Sequence, residues 1–289
     1  MDAAERIERA LEGALARTGG VGAPPKLVAA LRHAVFPGGA RIRPQLALAV
    51  AAACGDRNPA LADAAAASIE LLHCASLVHD DLPCFDDAQT RRGKPSVHRA
   101  FGEPLAVLAG DGLIVLAFET VALAGAHKPA LMRTLVGVVA RAAGAPNGIV
   151  AGQAWESEPE ISLAAYQQAK TGALFAAATV AGATAAGVPG EAWRMVGERL
   201  GEAFQVADDL LDAFATAEAA GKPVGRDAAL GRPNAVQLLG ARGAREHFDE
   251  LVAESVASVP DCPGRDPLRA AIAARAAGLL PKEVALSAA

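Results

Sequence analysis

The residues able to do chemistry are concentrated in two aspartate clusters, HDDLPCFDDAQTRRGKP at 79–95 and FQVADDLLD at 204–212. Ionised carboxylates only accept hydrogen bonds, and they repel one another, so clusters this dense need cations to be stable. Hard oxygen ligands arriving a few at a time suit Mg²⁺, which keeps its waters and bridges to phosphate oxygens. The first cluster runs straight into Arg91 and Arg92, whose guanidinium forks match the same phosphates. Together the two clusters read as a metal clamp for a diphosphate.

Spacing sorts the carboxylates. Asp208 and Asp212 are four residues apart, so a helix stacks them on one face with Gln205 one turn before Asp208. Asp209 lies about 100° further round and reads as a supporting residue. Asp80 and Asp86 are six apart, which on a regular helix points them away from each other. Pro83 lies between them, removes a donor and disfavours helix just before it. The spacing therefore predicts a helix that ends or bulges around Pro83, letting Asp86 swing back towards Asp80. Further candidates for a phosphate are Arg41 and Arg43 in FPGGARIRP (36–44), His73, Lys94, Lys170, Thr171, Lys222 and Arg232. Singly these are solvated surface charges or, for His73, a satisfied core residue.

Helices must carry these groups. Leu61–His79, Leu105–Ala124 and Glu191–Phe214 repeat apolar residues every three or four positions, and no segment alternates as a strand does. Gly and Pro clusters break the chain at 19–25, 37–39, 144–147, 187–190, 221–225 and 259–264. The reading is all-α, one domain over 1–289, with ten or more helices. The chain is 52% hydrophobic but only 4% aromatic, so its core must form by close helix contact rather than by bulky side chains. The longest uncharged stretch, 171–190, is rich in Ala and Gly and reads as an interior helix, not a membrane span. No basic block suggests nucleic acid. The N-terminus lacks a signal peptide's apolar core, and four scattered cysteines form neither a disulfide framework nor a zinc site. A cytoplasmic protein is expected.

The candidates fit one pattern. The chain resembles the trans-isoprenyl diphosphate synthase family along nearly its whole length. The first cluster is similar to that family's first aspartate-rich motif in its longer form, with four residues between Asp81 and Asp86, and Asp208–Asp212 is similar to the second. PGGARIRP, GQAWE (152–156), KTGALF (170–175) and AFQVADD (203–209) resemble family blocks in the family's order. HCASLVHDDLPCFDDA (73–88) and RPNAV (232–236) are most similar to geranylgeranyl-producing members of purple-bacterial pigment pathways. The resemblance implies a single bundle of long helices around a deep cavity, a homodimer, and a head-to-tail prenyltransferase feeding carotenoid or bacteriochlorophyll synthesis. It implies about three Mg²⁺ ions, with Asp80, Asp86 and Asp208 as direct ligands and Asp81, Asp209 and Asp212 in support. It assigns Arg91, Lys170, Thr171, Gln205 and Lys222 to the allylic diphosphate, and Arg43, His73 and Arg92 to isopentenyl diphosphate. Arg41 and Arg232 join them as further substrate-binding residues.

The chain departs from the family at Ala40, where a diphosphate-binding Lys is usual; at Arg232, in place of Lys; and at Glu156, in place of Asp. Ala75 and Ser76, five and four residues before Asp80, line the direction in which the product grows. Both are small, which predicts a twenty-carbon product, geranylgeranyl diphosphate, with the fifteen-carbon farnesyl diphosphate as the alternative. Two other readings remain at this point: a non-catalytic partner subunit, favoured only by Ala40, and a terpene cyclase, disfavoured by the second aspartate motif.

Overall fold

A computed structural model describes residues 2–160, 162–214 and 234–280. The helices run α1 (Ala3–Ala16), α2 (Pro25–Val35), α3 (Ile42–Ala53), α4 (Pro59–Asp80), α5 (Val97–Phe101), α6 (Glu103–Ala124), α7 (Pro129–Ala143), α8 (Ile149–Ala154), α9 (Leu163–Gln167), α10 (Ala173–Ala185), α11 (Arg194–Phe214), α12 (Ala235–Ala257) and α13 (Arg265–Ala277). A single π-helical turn, Gln168–Gly172, links α9 to α10.

The bundle is built around α10. Every residue from Leu174 to Ala185 is buried, and the helix packs on α3, α4, α7 and α11 at once. This is the interior helix expected from the uncharged stretch. It is hydrophobic all round, the signature of a helix with no solvent face. The small side chains are what allow four neighbours. At Gly182 an added Cβ would meet the Ala47 carbonyl oxygen of α3 at 2.2 Å, so the two backbones touch there.

α4 and α6 are each long and apolar enough to cross a bilayer, yet they pack against each other. α4 buries most of its surface, from Leu61 to Val78. α11 is amphipathic: Val196, Leu200, Ala203, Val206, Ala207 and Leu210 face inward, leaving its polar stripe for Gln205, Asp208 and Asp212. Its C-terminal half forms a second apolar cluster with Ala235, Ala244, Phe248 and Leu251 of α12 and Ala276 of α13.

The sequence shows no strand pattern, but the structure has a two-residue β-hairpin, Thr90–Arg91 with Lys94–Pro95. Its tip is Arg92–Gly93, with φ of +53° and +74°. A two-residue turn of this hand needs φ > 0 at both positions, which Gly accepts freely and Arg does not. Strands this short cannot show alternation.

Gly182→Ala should force α3 and α10 apart and cost about 1–3 kcal/mol, as overpacked contacts do. Denaturant unfolding would measure it, and an unchanged midpoint would contradict the backbone contact.

Candidate active site

The first aspartate cluster lies at a helix C-terminus and the second along α11. α4 ends at Asp80, with Asp81 as its cap, and Asp208, Asp209 and Asp212 occupy the last turns of α11. A helix C-terminus carries partial negative charge, which adds to the repulsion among carboxylates. The chain then turns back on itself. The Asp86 N–H donates to the Asp80 carbonyl at 3.0 Å, Ala88 N–H to Asp81 O at 3.1 Å, and Asp87 N–H to Leu82 O at 3.1 Å. These bonds satisfy carbonyls that a helix end leaves open. The helix ends ahead of Pro83 and Asp86 is folded back onto Asp80, as its spacing requires.

Cations answer the charge. Arg91 grips Asp81 from the hairpin, Nη2 to Oδ1 at 2.5 Å and Nε to Oδ1 at 3.1 Å. Lys170 Nζ lies 3.3 Å from Asp80 Oδ1 and 2.5 Å from Glu156 Oε1. Burial raises the pKa of both Asp80 and Asp81, while Lys170 and Arg91 respectively pull them back. For Lys170 burial acts to lower the pKa, but Asp80, Tyr166 and Glu156 outweigh it and push it up to about 12.

The π-helical turn joins the two clusters. Beside Lys170, the Thr171 hydroxyl donates to Gln205 Oε1 at 2.9 Å, and Gln205 Nε2 donates to Asp209 Oδ1 at 3.0 Å. A polar path thus runs from Asp80 through Lys170–Thr171 to α11. π turns of this kind recur at functional sites. Glycine makes room for this one: a Cβ on Gly152 would sit 2.5 Å from the Lys170 backbone nitrogen, and one on Gly201 2.8 Å from Gly172 Cα.

Asp209 is 2% exposed and its Oδ2 accepts the Ala235 N–H at 2.8 Å. Asn234 caps the same helix by accepting from the Gln237 N–H. Asp209 therefore ties α11 to the start of α12. Asp208 and Asp212 share the half-buried face of α11.

A basic patch flanks the first cluster. Arg43, His73 and Arg92 are half-buried together, and Arg43 stacks over Phe175 at 4.7 Å and Phe204 at 5.7 Å. The Arg43 Nε is buried with no partner, a donor poised for an anion. Burial and the surrounding arginines hold His73 well below its usual pKa, so its ring is neutral. Lys94 donates to the Phe36 carbonyl at 3.2 Å, bracing the hairpin.

Arg41 departs from the expectation. It is 6% exposed, and its guanidinium is spent on Glu8, on Glu70 at 2.7 Å and on the Val35 carbonyl at 2.9 Å. It is a buried cross-link, not a ligand of the patch. Lys222 and Arg232 lie outside the described residues.

Below Asp80 opens a mostly apolar cavity of about 510 Å³. Leu72, Ala75, Ser76 and His79 of α4, Val107 and Ile114 of α6, and Ile149 and Val150 of α8 line it. Among the described residues no three acidic, His or Cys side chains converge as a closed metal cage. Magnesium does not require one, because it binds through one or two carboxylates and takes its other oxygens from phosphate and water. Two sets of carboxylates, one at the end of α4 and one along α11, fit that ion.

Comparison with known proteins agrees with this geometry. A sequence model described as polyprenyl synthetase matches residues 24–263. The chain is 56% identical over 281 residues to a geranylgeranyl diphosphate synthase of Cereibacter sphaeroides, covering 97% of this chain and 98% of that one. It is 57% identical over 260 residues to a protein of the same name from Rhodobacter capsulatus, covering 90% of each. A crystal structure of a geranyltransferase from Helicobacter pylori, complexed with magnesium and isoprenyl diphosphate, superposes with a TM-score of 0.80 at 29% identity, over 94% of this chain and 95% of that one.

Removing Arg41 would leave Glu70, whose side chain is 2% exposed, with only its longer 3.8 Å contact to Arg92. Arg41→Ala should therefore cost on the order of 3 kcal/mol of stability, read by denaturant unfolding. A variant of native stability that had lost diphosphate affinity would return Arg41 to the binding site.

Proposed function

Because the chain belongs to the polyprenyl synthetase family, we propose that it condenses isopentenyl diphosphate with allylic diphosphates, head to tail, to give geranylgeranyl diphosphate. The observation that carries this reading is the apolar cavity opening directly beneath Asp80. An acidic rim able to hold a metal-bound diphosphate stands over a mostly apolar cavity suited to its hydrocarbon.

The residues divide the work. Mg²⁺ ions held by Asp80, Asp86 and Asp208, about three of them, would neutralise the diphosphate as it leaves. Asp81, Asp209 and Asp212 support those ligands, and Arg91, Lys170, Gln205 and Lys222 hold the allylic diphosphate, with Arg232 adding charge. Arg43, His73 and Arg92 hold isopentenyl diphosphate over the first cluster. Ionisation leaves an allylic cation, which the Thr171 hydroxyl and the main-chain carbonyl of Lys170 stabilise. The isopentenyl double bond attacks it, and the departed diphosphate takes the proton that is lost. No covalent bond to the protein forms, so the rate rests on fixed charges aimed at the leaving group.

Product length follows from the cavity. Ala75 and Ser76 line it below Asp80, and neither is bulky enough to close it as an aromatic ring would. Leu72 and Ile114 lie among the residues enclosing it further on.

The chain acts as one catalytic unit in the cytoplasm and as a homodimer. Val107, Leu108, Val115 and Leu123 are exposed on α6, an apolar face suited to a second copy rather than to lipid. Val107 also lines the cavity, so a partner seated there closes its outer wall.

Purified protein given Mg²⁺, isopentenyl diphosphate and farnesyl diphosphate should yield geranylgeraniol after dephosphorylation, and chelation of Mg²⁺ should abolish it. A stop at farnesol would reverse the length assignment. No elongation from any allylic starter would favour the non-catalytic partner. Ala75→Phe should shorten the principal product to fifteen carbons, whereas an unchanged product distribution would remove the cavity argument.

A further inference from the structure

Glu156 is where the chain carries the longer of the two acidic side chains, and the structure gives that carboxylate a full set of donors. Lys170 Nζ approaches Oε1 at 2.5 Å and the Tyr166 hydroxyl donates to the same oxygen at 2.8 Å. Gln153 Nε2 donates to Oε2 at 3.2 Å. Lys170 Nζ also lies 5.6 Å from the centre of the Tyr166 ring. Glu156, Tyr166 and Lys170 therefore form a closed triangle, with Gln153 fixing the remaining carboxylate oxygen.

This triangle solves a problem particular to Lys170. The side chain springs from a π-helical turn, where the regular helical neighbours that would otherwise restrict it are displaced. A lysine stem has four rotatable bonds and no preferred fork geometry. An ammonium has three donors: here one is taken by Glu156, a second is aimed at Asp80 Oδ1 at 3.3 Å, and a third remains. The longer, poorer contact is the one to Asp80, the residue that must accept other company when a diphosphate arrives. The shorter contact is to Glu156, which lies outside both aspartate motifs in the chain.

We propose that Glu156 is a positioning residue for Lys170. It anchors the ammonium so that the donor now facing Asp80 turns to the allylic diphosphate without the side chain losing its aim. Glu156 acts through Lys170 and does not touch substrate. Its loss should fall on the allylic substrate and spare isopentenyl diphosphate, whose ligands Arg43, His73 and Arg92 belong to a separate patch.

This inference rests on the prenyl synthase reading, and the test separates the two. Binding of farnesyl thiolodiphosphate, a non-ionising analogue, is measured by calorimetry with Mg²⁺ for wild type, Glu156→Gln and Glu156→Asp, beside steady-state kinetics and melting temperatures. Glu156→Gln should keep its melting temperature, bind the analogue about tenfold more weakly, as loss of one charge-assisted hydrogen bond allows, and raise KM for farnesyl diphosphate with KM for isopentenyl diphosphate unchanged. Glu156→Asp, which restores the charge, should recover most of that affinity. Wild-type affinity in Glu156→Gln would overturn the proposal, as would equal losses for both substrates or a fall in melting temperature that Glu156→Asp shares. Wild type that binds the analogue but does not elongate would overturn the catalytic reading and leave the Glu156 comparison standing. Wild type that does not bind it would overturn both.

Discussion

The structure depends on one electrostatic constraint: mutually repelling carboxylates are gathered in two clusters. Asp80 and Asp81 close α4, where the helix end adds its own negative potential, and Asp208, Asp209 and Asp212 lie along α11. Neither cluster is stable without compensation, and each compensation shapes a piece of the fold. The β-hairpin presents Arg91 to Asp81. The π turn delivers Lys170 to Asp80. The N-terminus of α12, the positive end of a helix, meets Asp209 through the Ala235 N–H.

Precision at this rim requires a rigid support, and the amino-acid composition supplies it in an unusual way. With aromatics at 4%, the core cannot be filled by large rings. It closes by backbone approach, as at Gly182 against Ala47, Gly152 against Lys170 and Gly201 against Gly172. Such contacts leave no side-chain slack, so the position of the π turn is set by backbone on both sides. The same economy leaves room where room is needed. Ala75 is buried yet lines a cavity, because a methyl group does not fill what a ring would.

What the sequence made legible was whatever depends on local spacing. The helices of 61–79, 105–124 and 191–214 appear as α4, α6 and the 191–214 segment, and the break before Pro83 folds Asp86 back. What it hid depends on distant partners or on very short elements. Arg41 looked like a ligand beside Arg43, because Glu8 and Glu70 are far from it in sequence and nothing local reveals a buried cross-link. The hairpin is too short to alternate, although Arg92–Gly93 following two acidic pairs is a turn signal in retrospect. Glu156 was visible as a departure from the family but had no meaning until Tyr166, Lys170 and Gln153 were seen around it.

Ala40 removes a cation that is usual in the family, and the basic patch beside it has unusual donors. A single charged hydrogen bond contributes about 1.5–3 kcal/mol, which matters most when the site has no donor in reserve. Here Arg43 is held in place by the faces of Phe175 and Phe204 rather than by an acid, so its Nε is buried without a partner. A desolvated donor in that state gains more from an incoming phosphate than an exposed lysine does, because it has no water to give up. Glu70 is shared by two arginines, with Arg41 at 2.7 Å and Arg92 at 3.8 Å from the same carboxylate oxygen. The shorter contact falls to Arg41, so Arg92 is held the less tightly of the two. What the patch offers an anion thus depends on how its cations are buried and aimed, not only on their number.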